Sequence, residues 1–187
     1  KNISKDWLTL FEKSNQLESP DYENTLKYFQ KFADSTPFVK IKTIGVTPQG
    51  RELKVIIVSK DKAFTPEQAK KTSKAILLIQ NGIHPGEVEG KDACMLLLRE
   101  ILITKEKEAF LDNVILLIIP ILNIDGHERI SPFNRPNQKG PKKMGWRTNA
   151  LNLNLNRDYL KADSSEIKSF LNLFNDWLPD FMIDNHT

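Results

Sequence analysis

The sequence contains a single cysteine, Cys94, in 187 residues. No intrachain disulfide can form, which excludes a disulfide-stapled small fold. Long apolar runs are also missing. The longest, Val114 to Leu122, contains Pro120 and falls well short of the roughly 20 residues a membrane-spanning helix needs. There is no internal repeat and no low-complexity tract. Net charge is small, +3, too little to point to nucleic acid by itself. The chain opens Lys-Asn-Ile-Ser, with neither an initiator methionine nor the apolar core of a secretion signal, which is compatible with a leader removed by processing. What is present is ordinary globular composition, 40% hydrophobic and 27% charged, which excludes a disordered or collagen-like chain. A mass of 21.5 kDa is one domain with a sizeable core.

The pattern along the chain reads as α/β. Tyr22, Leu26, Phe29 and Ala33 recur at helical spacing, which predicts an amphipathic helix over 21–35 with Ser19 or Asp21 as its cap. Two strands, 41–46 and 51–59, flank Thr-Pro-Gln-Gly and form a hairpin. The polar, lysine-rich stretch 61–73 reads as a surface connection with one short helical turn. Ala75–Gln80 and Val114–Ile119 are continuous branched apolar runs, as expected of strands buried on both faces. A helix over 88–103 lies between them, so the three form a strand–helix–strand crossover. A second strong helix spans 163–178, with Asp163 and Glu166 as its cap pattern. Phe181–Ile183 then begins one more buried strand.

The segment 126–156 has no regular periodicity, and loops of that length are usually functional. From Arg129 to Arg157 there are seven basic residues (129, 135, 139, 142, 143, 147 and 157) and no acidic one, which leaves −4 for the rest of the chain. Such a stretch is either a solvated basic loop or an electropositive lip that attracts an anionic group.

Only three histidines occur, His84, His127 and His186. His84 and His186 each follow an apolar strand at its carboxyl end, where open α/β sheets bind ligands. In Asn81-Gly-Ile-His-Pro-Gly-Glu87, Pro85 and Gly86 turn the chain so that the His84 imidazole and the Glu87 carboxylate can converge. Two histidines and one carboxylate form a set that zinc accepts while keeping a position for water. Taken alone, the His84/Glu87 pair is better read as an ordinary loop histidine beside a helix-capping glutamate. Arg147 and Arg157 suit oxyanion stabilisation and a bidentate carboxylate clamp, and Asn156 could add a neutral donor. Cys94 reads as a small buried hydrophobe, Trp146 as a core anchor and His127 as solvent-facing in a turn.

From the first hairpin onward, the chain resembles the zinc metallocarboxypeptidases of the carboxypeptidase A-like family. The resemblance rests on Gly82-Ile-His-Pro-Gly-Glu87, Asn123-x-Asp-Gly126, Trp146-Arg147, Asn156-Arg157 and Asp184-Asn-His186, and the wording of 152–159 is closer to bacterial members. It implies a twisted mixed β-sheet with helices on both faces. It also implies Zn2+ as cofactor, held by His84, Glu87 and His186. Arg147 matches the arginine that polarises the scissile carbonyl, and Asn156 and Arg157 match the pair that holds the terminal carboxylate of a peptide substrate. The implied reaction is hydrolysis of a C-terminal residue by a zinc-activated water.

Two departures bear on the expectation. Asn154 stands where many members carry an aspartate that accepts a hydrogen bond from the first ligand histidine, and a neutral acceptor there predicts a weaker or retuned metal site. The family's general-base glutamate, its substrate-capping tyrosine and its side-chain pocket lie downstream of the third ligand, so 187 residues are expected to form an incomplete catalytic domain, poorly active by itself. Residues 1–187 are read as one such domain. Competing readings are a zinc-dependent deacylase of small N-acyl amino acids and a non-catalytic zinc- or peptide-binding module. Nucleic-acid binding fits poorly, since the basic stretch is interleaved with no aromatics beyond Phe133 and Trp146. Bacterial relatives are often exported, so a periplasmic or extracellular location is expected, with a leader not present in this chain.

Overall fold

The computed structural model describes residues 3–136, 138, 141 and 143–187. Five strands, β1 (Val39–Val46), β2 (Glu52–Val58), β3 (Ala75–Gln80), β4 (Val114–Ile119) and β5 (Phe181–Asp184), form one mixed sheet in the order β1-β2-β4-β3-β5. β1–β2 and β2–β4 pair antiparallel, whereas β3 pairs parallel with both β4 and β5. The helices are α1 (Leu10–Lys13), α2 (Tyr22–Ser35), α3 (Pro66–Ala69), α4 (Glu89–Leu102), α5 (Ile124–Glu128) and α6 (Ser165–Trp177).

Strand alternation divides the core in two. Ile115, Leu117 and Ile119 of β4 face one side, with Leu78, Val55 and Ile57, and α6 covers them with Ile167, Phe170, Leu173 and Trp177. Leu116 and Ile118 face the other side and meet Phe29 and Phe32 of α2 and Met95, Leu98 and Ile101 of α4. A sheet packed on both faces explains why β3 and β4 read as unbroken apolar runs. Asp21 caps α2 by accepting from Asn24 N at 2.8 Å. Ser164, rather than Asp163, caps α6, its Oγ accepting from Ile167 N. β5 departs from the expected buried strand: Phe181 is 71% exposed, and Met182 and Ile183 are exposed as well. Among the described residues it pairs on one side only, with β3, so it lies at the edge of the sheet. No helix of the described residues is long and apolar enough to cross a membrane.

The parallel register aligns the carboxyl ends of β3, β4 and β5. Buried Asn81, one residue past β3, joins the three: its Nδ2 donates to Ile119 O at 3.0 Å and its Oδ1 accepts from Asn185 Nδ2 at 2.7 Å. Asn123-Ile-Asp-Gly126 proves to be scaffold. Asn123 caps α5 through Gly126 N and donates to Arg147 O at 3.3 Å. Fully buried Asp125 accepts from Thr47 Oγ1 (2.8 Å), Gln49 N (3.1 Å) and Arg51 Nη1 (2.7 Å), tying the β1–β2 turn to α5. Gly126 lies where a Cβ would stand 2.6 Å from the carbonyl oxygens of Trp146 and Thr148, so only glycine lets the long loop pass this closely.

Replacing Asp125 with alanine strands the Thr47 hydroxyl and the Gln49 amide, while partly exposed Arg51 can reach water. Denaturant unfolding is expected to show a loss of about 2 kcal/mol. An unchanged midpoint would contradict this account of the motif.

Candidate metal centre

The sequence 84–87 folds as a tight turn closed by Glu87 N donating to His84 O at 2.9 Å, with Pro85 and Gly86 at its corners. The turn presents the two side chains side by side, and His84 Nδ1 lies 3.1 and 3.2 Å from Glu87 Oε1 and Oε2. His186, two residues beyond β5, arrives from the neighbouring strand end with its Nδ1 3.0 Å from Glu87 Oε2. The two rings are 4.8 Å apart. His84, Glu87 and His186 thus bring one ligand atom each within 4.8 Å of one another, a group that could hold a metal ion. Their chemistry fits zinc, with two neutral nitrogens and one hard anionic oxygen.

The electrostatics follow from this packing. Burial alone would raise the Glu87 carboxyl, but the contacts with His186, Arg135 and His84 outweigh it and hold Glu87 below its usual range. His84 is lowered, first by burial and also by the nearby Arg147 guanidinium, against the pull of Glu87. His186 is raised: burial opposes this, and the bonds to Asp184 and Glu87 prevail.

Asp184 was not foreseen in this role. Its Oδ2 lies 2.9 Å from His186 Nε2, and its Oδ1 accepts from Gln80 Nε2 at 2.8 Å. Gln80 in turn exchanges hydrogen bonds with the Tyr159 hydroxyl. A carboxylate on the far nitrogen fixes the imidazole's tautomer and orientation and raises its basicity.

His84 is different. Its Nε2 is buried with no partner among the described residues. Asn154 does not meet it; the Asn154 side chain instead accepts from Asn156 N at 3.2 Å and shapes the 3-10 turn Leu155–Arg157. The expected Asn154–His84 bond is therefore replaced by a local turn. That turn carries Asn156, half-buried, and Arg157, exposed, whose Nη1 donates to Asn156 O at 2.8 Å. Asp158 anchors it to the start of α6 by accepting from Asp163 N, Ser164 N and Ser164 Oγ.

Arg147 is half-buried beside His84. Trp146 is exposed rather than a core anchor, with the Arg129 guanidinium 5.5 Å from its ring. His127 is buried rather than solvent-facing: its Nδ1 meets Glu128 at 2.7 Å, and Glu128 also accepts from Tyr22 N at the start of α2. It lies outside the three-residue group. Cys94 is buried, as expected. Of the basic residues in 129–157, Lys139 and Lys142 lie outside the described residues. Arg135 is turned inward onto Glu87, at 3.1 Å.

The sheet and the donor set together define a class, an open-sheet α/β protein with three side chains that could hold a cation at the carboxyl ends of parallel strands. Residues 25–176 match the family model described as zinc carboxypeptidase, and the chain belongs to that family. No curated protein matches. Among solved structures, a Shewanella denitrificans protein described as a candidate carboxypeptidase A is 26% identical, with a TM-score of 0.68 over 88% of this chain and 39% of its own. Carboxypeptidase A of Helicoverpa armigera shares the fold at 19% identity and a TM-score of 0.70, over 90% of this chain and 46% of that one. A Pseudomonas aeruginosa metallo-carboxypeptidase in complex with (2-guanidinoethylmercapto)succinic acid does so at 20% and 0.65, over 91% and 40%. The chain spans about two fifths of the length of these bacterial structures.

Ligand histidines must be neutral, so protons compete with the ion. Because His186 is raised, zinc affinity should fall as pH drops through a value above the ordinary imidazole range. Asp184→Asn should move that fall to lower pH and weaken zinc binding above it by about 10- to 100-fold. Chelator-competition titrations across pH measure both effects; superimposable curves would show that Asp184 does not act on His186.

Proposed function

We propose that this chain carries the metal- and carboxylate-binding part of a zinc metallocarboxypeptidase, which hydrolyses the C-terminal residue of a peptide with a zinc-activated water. The convergence of His84, Glu87 and His186 within a chain of the zinc carboxypeptidase family carries the reading. His84 and His186 would hold the ion through Nδ1, and Glu87 through its carboxylate. Bound zinc supplies a Lewis acid for the scissile carbonyl and lowers the pKa of a water.

The remaining roles fall to this chain's own side chains. Arg147, beside His84 and making no side-chain hydrogen bond among the described residues, would donate to the oxygen that becomes negative during hydrolysis. Asn156 and Arg157, adjacent on one anchored turn, would bind the terminal carboxylate and so set which peptide bond is cut. The succinic-acid compound bound by the Pseudomonas relative is a dicarboxylate, which agrees with a carboxylate-reading site. Glu87 is engaged as a ligand and Asp184 by His186 and Gln80, so the proton acceptor is proposed to come from outside residues 1–187. We further propose export to the periplasm or the extracellular space.

Metal analysis of the protein should find one zinc per chain, lost in His84→Ala and His186→Ala. In the full reading frame, N-blocked dipeptides should be hydrolysed in preference to N-acyl amino acids. Arg147→Ala should lower kcat by about 100- to 1000-fold, and Arg157→Ala should mainly raise KM. Absence of zinc would overturn the reading, and preferential cleavage of N-acyl amino acids would replace it with the deacylase.

A further inference from the structure

The three donors of the candidate centre are not held equally. The side chains of His84 and Glu87 are 6% and 4% exposed, whereas that of His186 is 35% exposed. His186 also follows a short strand, Phe181–Asp184, in which Phe181, Met182 and Ile183 are exposed. Apolar packing therefore does little to fix this end of the site. The fastening comes from one fully buried residue of the neighbouring strand, Gln80. Gln80 grips the end of β5 twice. Its backbone oxygen accepts from Asn185 N at 3.0 Å, and its side-chain Nε2 donates to Asp184 Oδ1 at 2.8 Å. The other oxygen of that carboxylate, Oδ2, lies 2.9 Å from His186 Nε2.

The Gln80 amide is itself fixed. Its Nε2 also donates to the Tyr159 hydroxyl at 2.8 Å, and that hydroxyl donates back to Oε1 at 3.2 Å. Tyr159 is anchored in turn. Its ring packs edge-on against Phe170 of α6, with centroids 5.6 Å apart, and it follows Asp158, which accepts from Ser164 at the start of α6. We infer that Gln80 is a positioning residue for the candidate ligand His186, acting through Asp184, with Tyr159 as the fixed point that sets its amide. This rests on the metal-centre reading above. Two physical effects favour it. An amide turned over would present its carbonyl oxygen to the Asp184 carboxylate, and the paired bonds to Tyr159 hold it the other way. A carboxylate pinned through one oxygen keeps the other aimed at the imidazole; unpinned, Asp184, whose side chain is 26% exposed, is free to turn toward water.

Chelator-competition titration with zinc at one fixed pH tests the inference. Gln80→Leu keeps the bulk and the backbone bond but loses the donor, and it should weaken zinc binding by about 10-fold. Tyr159→Phe loses only the hydroxyl and should weaken binding in the same direction by less. Asp184→Ala should weaken it at least as much as Gln80→Leu. Adding Gln80→Leu to Asp184→Ala should then cost nothing further, because the link through which Gln80 acts is gone. A general loosening of the sheet would instead weaken binding equally in both backgrounds. Thermal melts of the metal-free variants report folding separately, and Tyr159→Phe still reads the effect if Gln80→Leu fails to fold. A wild-type protein that binds no zinc overturns the metal-centre reading and the inference with it. Zinc binding by the wild type that is unchanged in Gln80→Leu (or, should that variant not fold, in Tyr159→Phe) overturns the inference alone. So does a Gln80→Leu effect of the same size with and without Asp184.

Discussion

The Glu87 carboxylate, buried to 4% exposure, draws together parts of the chain far apart in sequence. His84 reaches it from its own turn, Arg135 from the long loop, and His186 and the Thr187 amide from beyond the last strand. A buried charge is tolerable only when paired and hydrogen-bonded. The β3–β5 pairing, the turn at Pro85-Gly86 and the loop excursion together meet that demand. Disturbing any of them leaves part of the carboxylate's negative charge uncompensated, which couples the site to the fold.

The two imidazoles have opposite environments. His84 is buried, its Nε2 has no partner among the described residues, and it lies near Arg147, so burial and that charge favour the neutral ring. His186 is more exposed and pinned by Asp184, so it holds its proton more tightly. A neutral ring is ready to bind a cation; a charged one must first release its proton. The candidate centre is therefore held together by hydrogen bonds that a bound cation would replace with coordination.

Local pattern made much of this legible. β3 and β4 fall at the residues their apolar runs mark, because a strand buried on both faces has no polar position to blur its ends. His84, Glu87 and His186 stand out because histidines are few and two follow strands. Long-range packing hid the rest. The exposure of β5 depends on which strands flank it, and the burial of His127 depends on the start of α2 settling over Glu128. The family resemblance alone implies Asn154 as a partner for His84, whereas an asparagine two residues before a backbone amide readily closes a local turn. Arg135 could not be told from the other basic residues of its loop, since only the fold shows that it turns inward onto Glu87.

Rigid and adaptable parts of the site come from different elements. His84 and Glu87 follow β3, whose side chains join the core, and His186 follows the edge strand β5 that pairs with β3, so their spacing is set by sheet register. The cationic side chains sit on the long loop, which has little apolar packing of its own and is fixed by polar ties instead. Asn123 holds the backbone of Arg147, Gly126 admits the loop, and Asp158 fastens the Asn156-Arg157 turn to α6. Asn123 and Asp158 are buried, and Asp158 is charged and accepts three hydrogen bonds, so these two ties cost most to leave half-made. Fastened there and passing close over Gly126, the loop places Arg147 and Arg157 relative to the strand ends.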